Sequence, residues 1–174
     1  MIIHNRQILF NGLIIDIEQM EVEIGACGRH IYQVVRHPGG AGVLPVHDDG
    51  TISLIRQVRP AVETAQLEIP AGRLDPSEPP IRCASRELRE ETGLVGGTLI
   101  SLGMIYSSPG VFDEAIHLFA ATGITDGAAC PEADEEIEVL RLPFDEALKM
   151  AADGRISDAK TLAALLRWEL LCRT

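Results

Sequence analysis

The segment GRLDPSEPPIRCASRELREETGL, Gly72 to Leu94, fixes more of this chain than any other. Its second half predicts a helix from about Pro80 to Thr92, with Ser77 as N-cap and Gly93 in the C-cap position. Three carboxylates, Glu87, Glu90 and Glu91, crowd the last turns, where the helix dipole favours cations. Glu87 and Glu91 also form a like-charged i,i+4 pair, which costs roughly 0.2–0.5 kcal/mol. At about 100° per residue all three fall on one face, and Ile81, Ala84 and Leu88 fall on another, the expected core stripe. The carboxylates are therefore expected to stand together, away from the apolar packing. A solvated charged face would suit them if Arg86 paired with Glu90 and Arg82 or Arg89 neutralised the rest. A divalent cation offsets both unfavourable placements at once, and Mg²⁺ prefers such carboxylate oxygens.

The rest of the chain predicts an α+β domain with a mixed sheet and few helices. Loosely alternating, β-branched residues between 7 and 35 read as two or three strands, broken at Asn11-Gly12 and Gly25 to Gly28. AGVLPV and TISLIRQV then flank Asp48-Asp49-Gly50 as an expected hairpin. Strands are further expected in QLEIPAG, TLISLGMIYSS, EAIHLFAATGI and Ile137 to Leu142, and helices in PFDEALKMAADG and SDAKTLAALLRWELL. With 174 residues, 46% of them hydrophobic, the chain can bury one substantial core. A net charge of -11 lacks the footprint of a nucleic-acid or anionic-membrane binder. An anionic substrate would need a metal or local arginines. Four scattered cysteines, an N-terminus without a secretory apolar core and no bilayer-length apolar run predict a cytoplasmic protein.

Read by spacing, the segment runs Gly72, five residues, Glu78, seven residues, Arg86-Glu87-Leu88, one residue, Glu90-Glu91, one residue, Gly93-Leu94. This resembles the signature of the Nudix hydrolases at every specified position. The resemblance implies a Nudix-type α/β/α sandwich over residues 38–174, preceded by a small N-terminal β unit over 1–37. It implies Mg²⁺-dependent cleavage of a nucleoside diphosphate linked to another group, with Mn²⁺ as the other metal. By position, Glu87 and Glu91 would be the principal metal ligands, with Glu90 and the backbone carbonyl of Ala71 assisting. Arg86 would orient Glu87 or its neighbours, Gly72 would permit a tight backbone conformation, and Glu78 would support the loop or bind a further ion.

Three further stretches resemble the ADP-ribose pyrophosphatase branch: Pro109 fifteen residues beyond Leu94, LEIPAGRLD, and GRISDAKTLAALL. They imply hydrolysis of ADP-ribose to AMP and ribose 5-phosphate. GDP-mannose or another nucleoside diphosphate sugar is the alternative substrate, and a non-catalytic nucleotide sensor the alternative role. Arg56 and Arg59 should lie on opposite faces of one strand, with Arg59 the better phosphate ligand and a salt bridge the plainer reading of either. The branch implies a homodimer that exchanges the N-terminal unit, with Phe10, Arg29 and Arg36 as adenosine-contact candidates. Phe112 is expected to anchor the Pro109 loop. The general base is expected in the acidic loop PEADEEIEV, at Glu135 first and Glu132 second.

Overall fold

Past residue 39 the apolar residues come in runs rather than strict alternation, the pattern of strands covered on both faces. The computed structural model describes residues 1–128 and 136–173. The chain divides into two compact units, Met1–Gly39 with Tyr106–Ala115, and Gly40–Ile105 with Ile116–Thr174.

The first unit is an antiparallel meander of β1 (Ile2–Asn11), β2 (Asp16–Glu23) and β3 (Arg29–Arg36). Along β2, Glu18, Met20 and Val22 are buried at period 2, while β1 is almost wholly exposed. Residues 106–115, expected with the second domain, join this unit through backbone bonds. Val35 N–H donates to Val111 O at 2.8 Å and Asp113 N–H to Val35 O at 3.1 Å. Arg36 adds ion pairs to Asp113 and to buried Glu18.

The second unit carries β4 (Gly40–Pro45), β5 (Thr51–Arg59), β6 (Thr64–Glu68) and β7 (Ala71–Arg73), then α1 (Pro80–Thr92). After it come β8 (Leu94–Val95), β9 (Thr98–Tyr106), β10 (Ala115–Thr122), β11 (Thr125–Asp126) and β12 (Ile137–Pro143). Helices α2 (Phe144–Ala152) and α3 (Ala159–Cys172) follow. One sheet has the order β7-β4-β10-β9, with β4 and β10 parallel and β4 and β7 antiparallel. A second, antiparallel, has the order β12-β5-β6, and β8 and β11 form a short ladder.

Side-chain parity then makes the sandwich. On β4 and β10, Leu44, Leu118 and Ala120 join a core with Ala147 of α2 and Ala164 and Leu165 of α3. Their neighbours Val43, Phe119 and Ala121 join a second core with Cys83, Ala84 and Leu88 of α1. Helices thus cover both faces of a mixed sheet, which is the α/β/α arrangement.

The expected hairpin at Asp48 to Gly50 does not continue as a ladder. It closes with one Val46–Ile52 bridge and a His47 N–H to Thr51 O bond of 2.9 Å, and β4 and β5 then part into different sheets. Both edges of β4 are taken, by β10 and β7, so β5 pairs with β12 and β6 instead. Helix α1 starts at Pro80 as expected, but its cap differs. Pro79 is the N-cap and makes no side-chain cap bond, while Ser77 sits at φ 65° in the preceding turn.

Candidate metal and diphosphate site

Helix α1 buries Cys83, Ala84, Glu87, Leu88 and Glu91. Its inward stripe therefore contains the two carboxylates, and Ile81, expected in the core, is 46% exposed. The expectation that the acids point away from the packing is overturned. Glu87 and Glu91 lie one turn apart on the same side as Cys83, Ala84 and Leu88, so the unfavourable charge placement is also a desolvated one.

What meets that stripe is the loop entering the helix. The Ala71 N–H donates to Glu91 Oε2 at 2.9 Å. A Cβ built on Gly72 would lie 1.8 Å from Glu87 Oε1, 2.3 Å from its Cδ and 2.9 Å from Oε2. Gly72 is not among the residues at positive φ. Glycine is needed there for space beside a carboxylate, not for the backbone freedom the sequence suggested. Gly93 does use that freedom: at φ 73° it ends the helix, its N–H donating to Arg89 O.

Arg86 ties the loop to the helix. Its Nε and Nη2 donate to the two oxygens of Glu78 at 3.1 and 3.0 Å, and Nη2 donates to Arg73 O at 3.1 Å. Its Nη1 donates to Glu87 Oε1 at 2.6 Å and to Glu90 Oε2 at 3.1 Å. Glu78 also accepts the Asp75 N–H at 3.1 Å, so it braces the loop. These bonds raise the guanidinium above its already high range, the Glu78 contact contributing most. The same contact holds the Glu78 carboxyl low. Burial pushes the neighbouring Cys83 thiol up to about 12, so it stays protonated.

Among the described residues no three His, Cys, Asp or Glu side chains are grouped as around a cation. Arg86 stands between Glu87 and Glu90 as their shared countercharge. The donor set nonetheless fits a hard divalent ion. Glu78, Glu87, Glu90 and Glu91 offer only oxygen, two of them are buried, and Arg86 and Arg89 supply two positive charges against four negative ones. Gly72, without a side chain, lets the Glu87 carboxylate pack directly against the loop that carries the Ala71 carbonyl.

The two arginines of β5 take opposite faces, as a period of two demands. Arg56 is exposed and bonds Glu138 across the sheet at 3.0 Å. Arg59 binds Glu68 through both oxygens, from Nε at 3.0 Å and Nη2 at 2.9 Å. Glu68 is 2% exposed and also meets Lys160. The charge of Glu91 contributes to raising Arg59, after the Glu68 hydrogen bonds and against desolvation. Arg59 therefore lies within electrostatic reach of the carboxylate helix. Glu68, Asp158, Lys160 and Thr161 were not singled out from the sequence, although LEIPAG and SDAKT contain them. The segments LEIPAG and SDAKT themselves, each already matched to the ADP-ribose pyrophosphatase branch, were the available signal.

In the first unit, Pro109 and Arg36 line an open cavity of about 240 Å³ with Val34, Tyr106, Phe112 and Asp113. Phe112 stacks edge-on with His37, ring centroids 5.4 Å apart, an anchoring contact. Arg29 is exposed, 3.9 Å from Glu21 and Glu23. Phe10 is 54% exposed. Glu132 and Glu135 lie outside the described residues.

Comparison with known proteins adds the family. The NUDIX domain profile matches residues 36–165. An ADP-ribose pyrophosphatase of Bacillus subtilis (strain 168) is 36% identical over 159 residues, 90% of this chain and 86% of that protein. A GDP-mannose pyrophosphatase of Yersinia enterocolitica is 38% identical over 151 residues, 81% of this chain and 78% of that one. A crystal structure of an ADP compounds hydrolase superposes with a TM-score of 0.86 at 22% identity, covering 99% of this chain and 94% of that one. The box at α1, the sandwich around it and these matches agree: the chain belongs to the NUDIX domain family.

Proposed function

We propose that this Nudix hydrolase cleaves the diphosphate of ADP-ribose, giving AMP and ribose 5-phosphate, with Mg²⁺ as the working metal and Mn²⁺ as a substitute. The observation that carries this reading is the pair of buried carboxylates, Glu87 and Glu91, held against the Ala71–Gly72 loop. The choice of ADP-ribose is supported by the Bacillus subtilis relative. GDP-mannose is the second reading, supported by the Yersinia enterocolitica relative. A purely sensing module is disfavoured because every acidic position of the box is filled.

Glu87 and Glu91 would hold the metal, with Glu90 and the Ala71 carbonyl completing the set. When bound, the cation supplies Lewis-acid neutralisation of the diphosphate oxygens. Arg86 fixes the orientation of Glu87 and Glu90 while bracing the loop through Glu78. Arg59 binds a phosphate oxygen, with Arg56 farther out. A carboxylate of the acidic loop, Glu135 before Glu132, takes one proton from the attacking water. The water oxygen bonds to phosphorus as the bridging P–O bond breaks, and the departing phosphate keeps the electron pair.

The chain is proposed to work as a cytoplasmic homodimer. Among the described residues no helix is long and apolar enough to cross a membrane, and Cys27, Cys83 and Cys172 are free thiols. Ile2, Ile8, Phe10, Leu13, Ile14 and Ile31 of the first unit are all more than half exposed, an apolar surface suited to a second copy. Steady-state kcat/KM on ADP-ribose, ADP-glucose and GDP-mannose with each metal tests the assignment. ADP-ribose should lead by at least about tenfold, the order that one substrate-specific contact supplies. A lead for GDP-mannose transfers the assignment to the second reading, and tight binding without turnover transfers it to the sensor.

A further inference from the structure

The motif SDAKT at the start of α3 converges on the segment that carries the site. Asp158 caps the helix, its Oδ2 accepting the Thr161 N–H at 2.9 Å and the Thr161 hydroxyl at 2.6 Å. The Thr161 hydroxyl oxygen in turn accepts the Ile69 N–H at 2.8 Å. Lys160 Nζ bonds Asp158 Oδ1 at 3.0 Å and also Glu68 Oε2. That oxygen is the one that accepts from Arg59 Nη2. Two residues beyond Ile69, the Ala71 N–H holds Glu91. Helix α3 thus grips residues 68–69 at a side chain and at a backbone amide, and residue 71 meets α1.

The charges in this cluster balance. Arg59 and Lys160 face Glu68 and Asp158, and three of the four are largely buried, with side-chain exposures of 10% for Lys160, 3% for Glu68 and 18% for Asp158. Arg59 is the outlet, 38% exposed. Only its Nε and Nη2 donate to Glu68, two of five guanidinium N–H groups. Without Lys160, Glu68 would spend its whole charge on Arg59, and the cluster would carry a net negative charge where an anion must bind.

We propose that Lys160 and Asp158 are positioning residues that set, through Glu68, how much positive charge Arg59 presents to the substrate diphosphate. The inference rests on the reading of Arg59 as a phosphate ligand. Its signature is a sign rule: affinity for the anionic substrate follows the net charge of the cluster, whichever residue changes it. A contact that served only to hold α3 in place would lose stability for any substitution and show no such sign.

The test is steady-state kinetics on ADP-ribose with saturating Mg²⁺, beside thermal melting, for K160M, K160R, D158N, T161V and R59Q. One buried unit charge near Arg59, screened by protein and salt, corresponds to roughly a tenfold change in KM. K160M should raise KM by about that factor with kcat altered far less, and K160R should restore it. D158N keeps a capping oxygen and should lower KM while still reducing the melting temperature. T161V loosens the Ile69 grip without changing charge, so it should lower the melting temperature and leave KM near wild type. If K160M does not fold, the D158N and T161V results alone decide the sign. Equal rises in KM for K160M, D158N and T161V would overturn the proposal and leave a structural clamp. If R59Q raises KM while K160M and D158N leave it unmoved, only the positioning role falls. If R59Q leaves KM unchanged, the reading of Arg59 falls, and the proposal with it.

Discussion

Replacing Gly72 with alanine places a methyl group where the Glu87 carboxylate now stands. The added Cβ would sit 1.8 Å from Oε1, whereas ordinary van der Waals contact begins at 3.4 Å, so the carboxylate must retreat by about 1.6 Å. The nearest atoms belong to the far end of a side chain, and the helix backbone can stay in place. What yields is the 2.6 Å bond from Arg86 to Glu87. Losing one charge-assisted hydrogen bond of this kind costs about 1.5–3 kcal/mol, and in a chain of this length each kcal/mol lowers Tm by about 2–4 °C. G72A should therefore fold, with Tm reduced by roughly 3–12 °C. Activity should suffer more, because a catalytic group misplaced by about 1 Å loses ~10²-fold. The assay is kcat/KM on ADP-ribose across a Mg²⁺ titration, with circular dichroism for the fold. A G72A enzyme within threefold of wild type at limiting Mg²⁺ would refute the reading that this glycine keeps room for the Glu87 carboxylate.

Stability should fall in acid through Glu68. Burial opposes its ionisation, but hydrogen bonds from Arg59 and the charge of Lys160 outweigh burial and hold the carboxyl below its usual 4.5. A depressed folded pKa contributes stability that is complete above 4.5 and is lost as pH falls from there through the folded value. Urea midpoints should decline below about pH 5, and E68Q, less stable at neutral pH, should decline less steeply; parallel slopes would remove Glu68 as the cause. Replacing Glu135 by Gln should cut kcat by ~10²–10⁴-fold with metal affinity little changed. Wild-type turnover in E135Q beside a dead E132Q moves the base to Glu132, and no effect in either removes it from this loop. Light scattering should report twice the chain mass of 18.9 kDa, and a fully active monomer would contradict the dimer.

Helix limits in the second unit were readable because periodicity and glycine placement agreed. Helix α1 runs from Pro80 to Thr92 and ends at Gly93 as the sequence implies. Pairing was less readable. The Asp48–Gly50 turn has hairpin chemistry, but whether its strands stay together depends on which edges distant strands occupy, and β10 lies some seventy residues away. The box was legible as a set of residues and illegible as a surface. A helical wheel separates acids from aliphatics by type, so it put Glu87 outward, whereas the fold buries Glu87 and Glu91 with the aliphatic stripe. The role of Gly72 was misread for a related reason. Sequence shows that a side chain is missing, not which neighbour fills the space. Glu68 and Lys160 are 92 residues apart and escaped notice because neither breaks a local rule.

Glu91 and the metal carry the proposed chemistry. Wild-type protein stripped with chelator should release no AMP from ADP-ribose, and added Mg²⁺ should restore turnover. Glu91→Gln keeps an oxygen to accept the Ala71 N–H while removing a charge from a site that is 2% exposed. Titrating Mg²⁺ into metal-free E91Q should give turnover at least ~10²-fold below wild type at limiting metal, with a metal-free melting temperature no lower than that of wild type. Near-normal turnover of E91Q at limiting Mg²⁺ would contradict it.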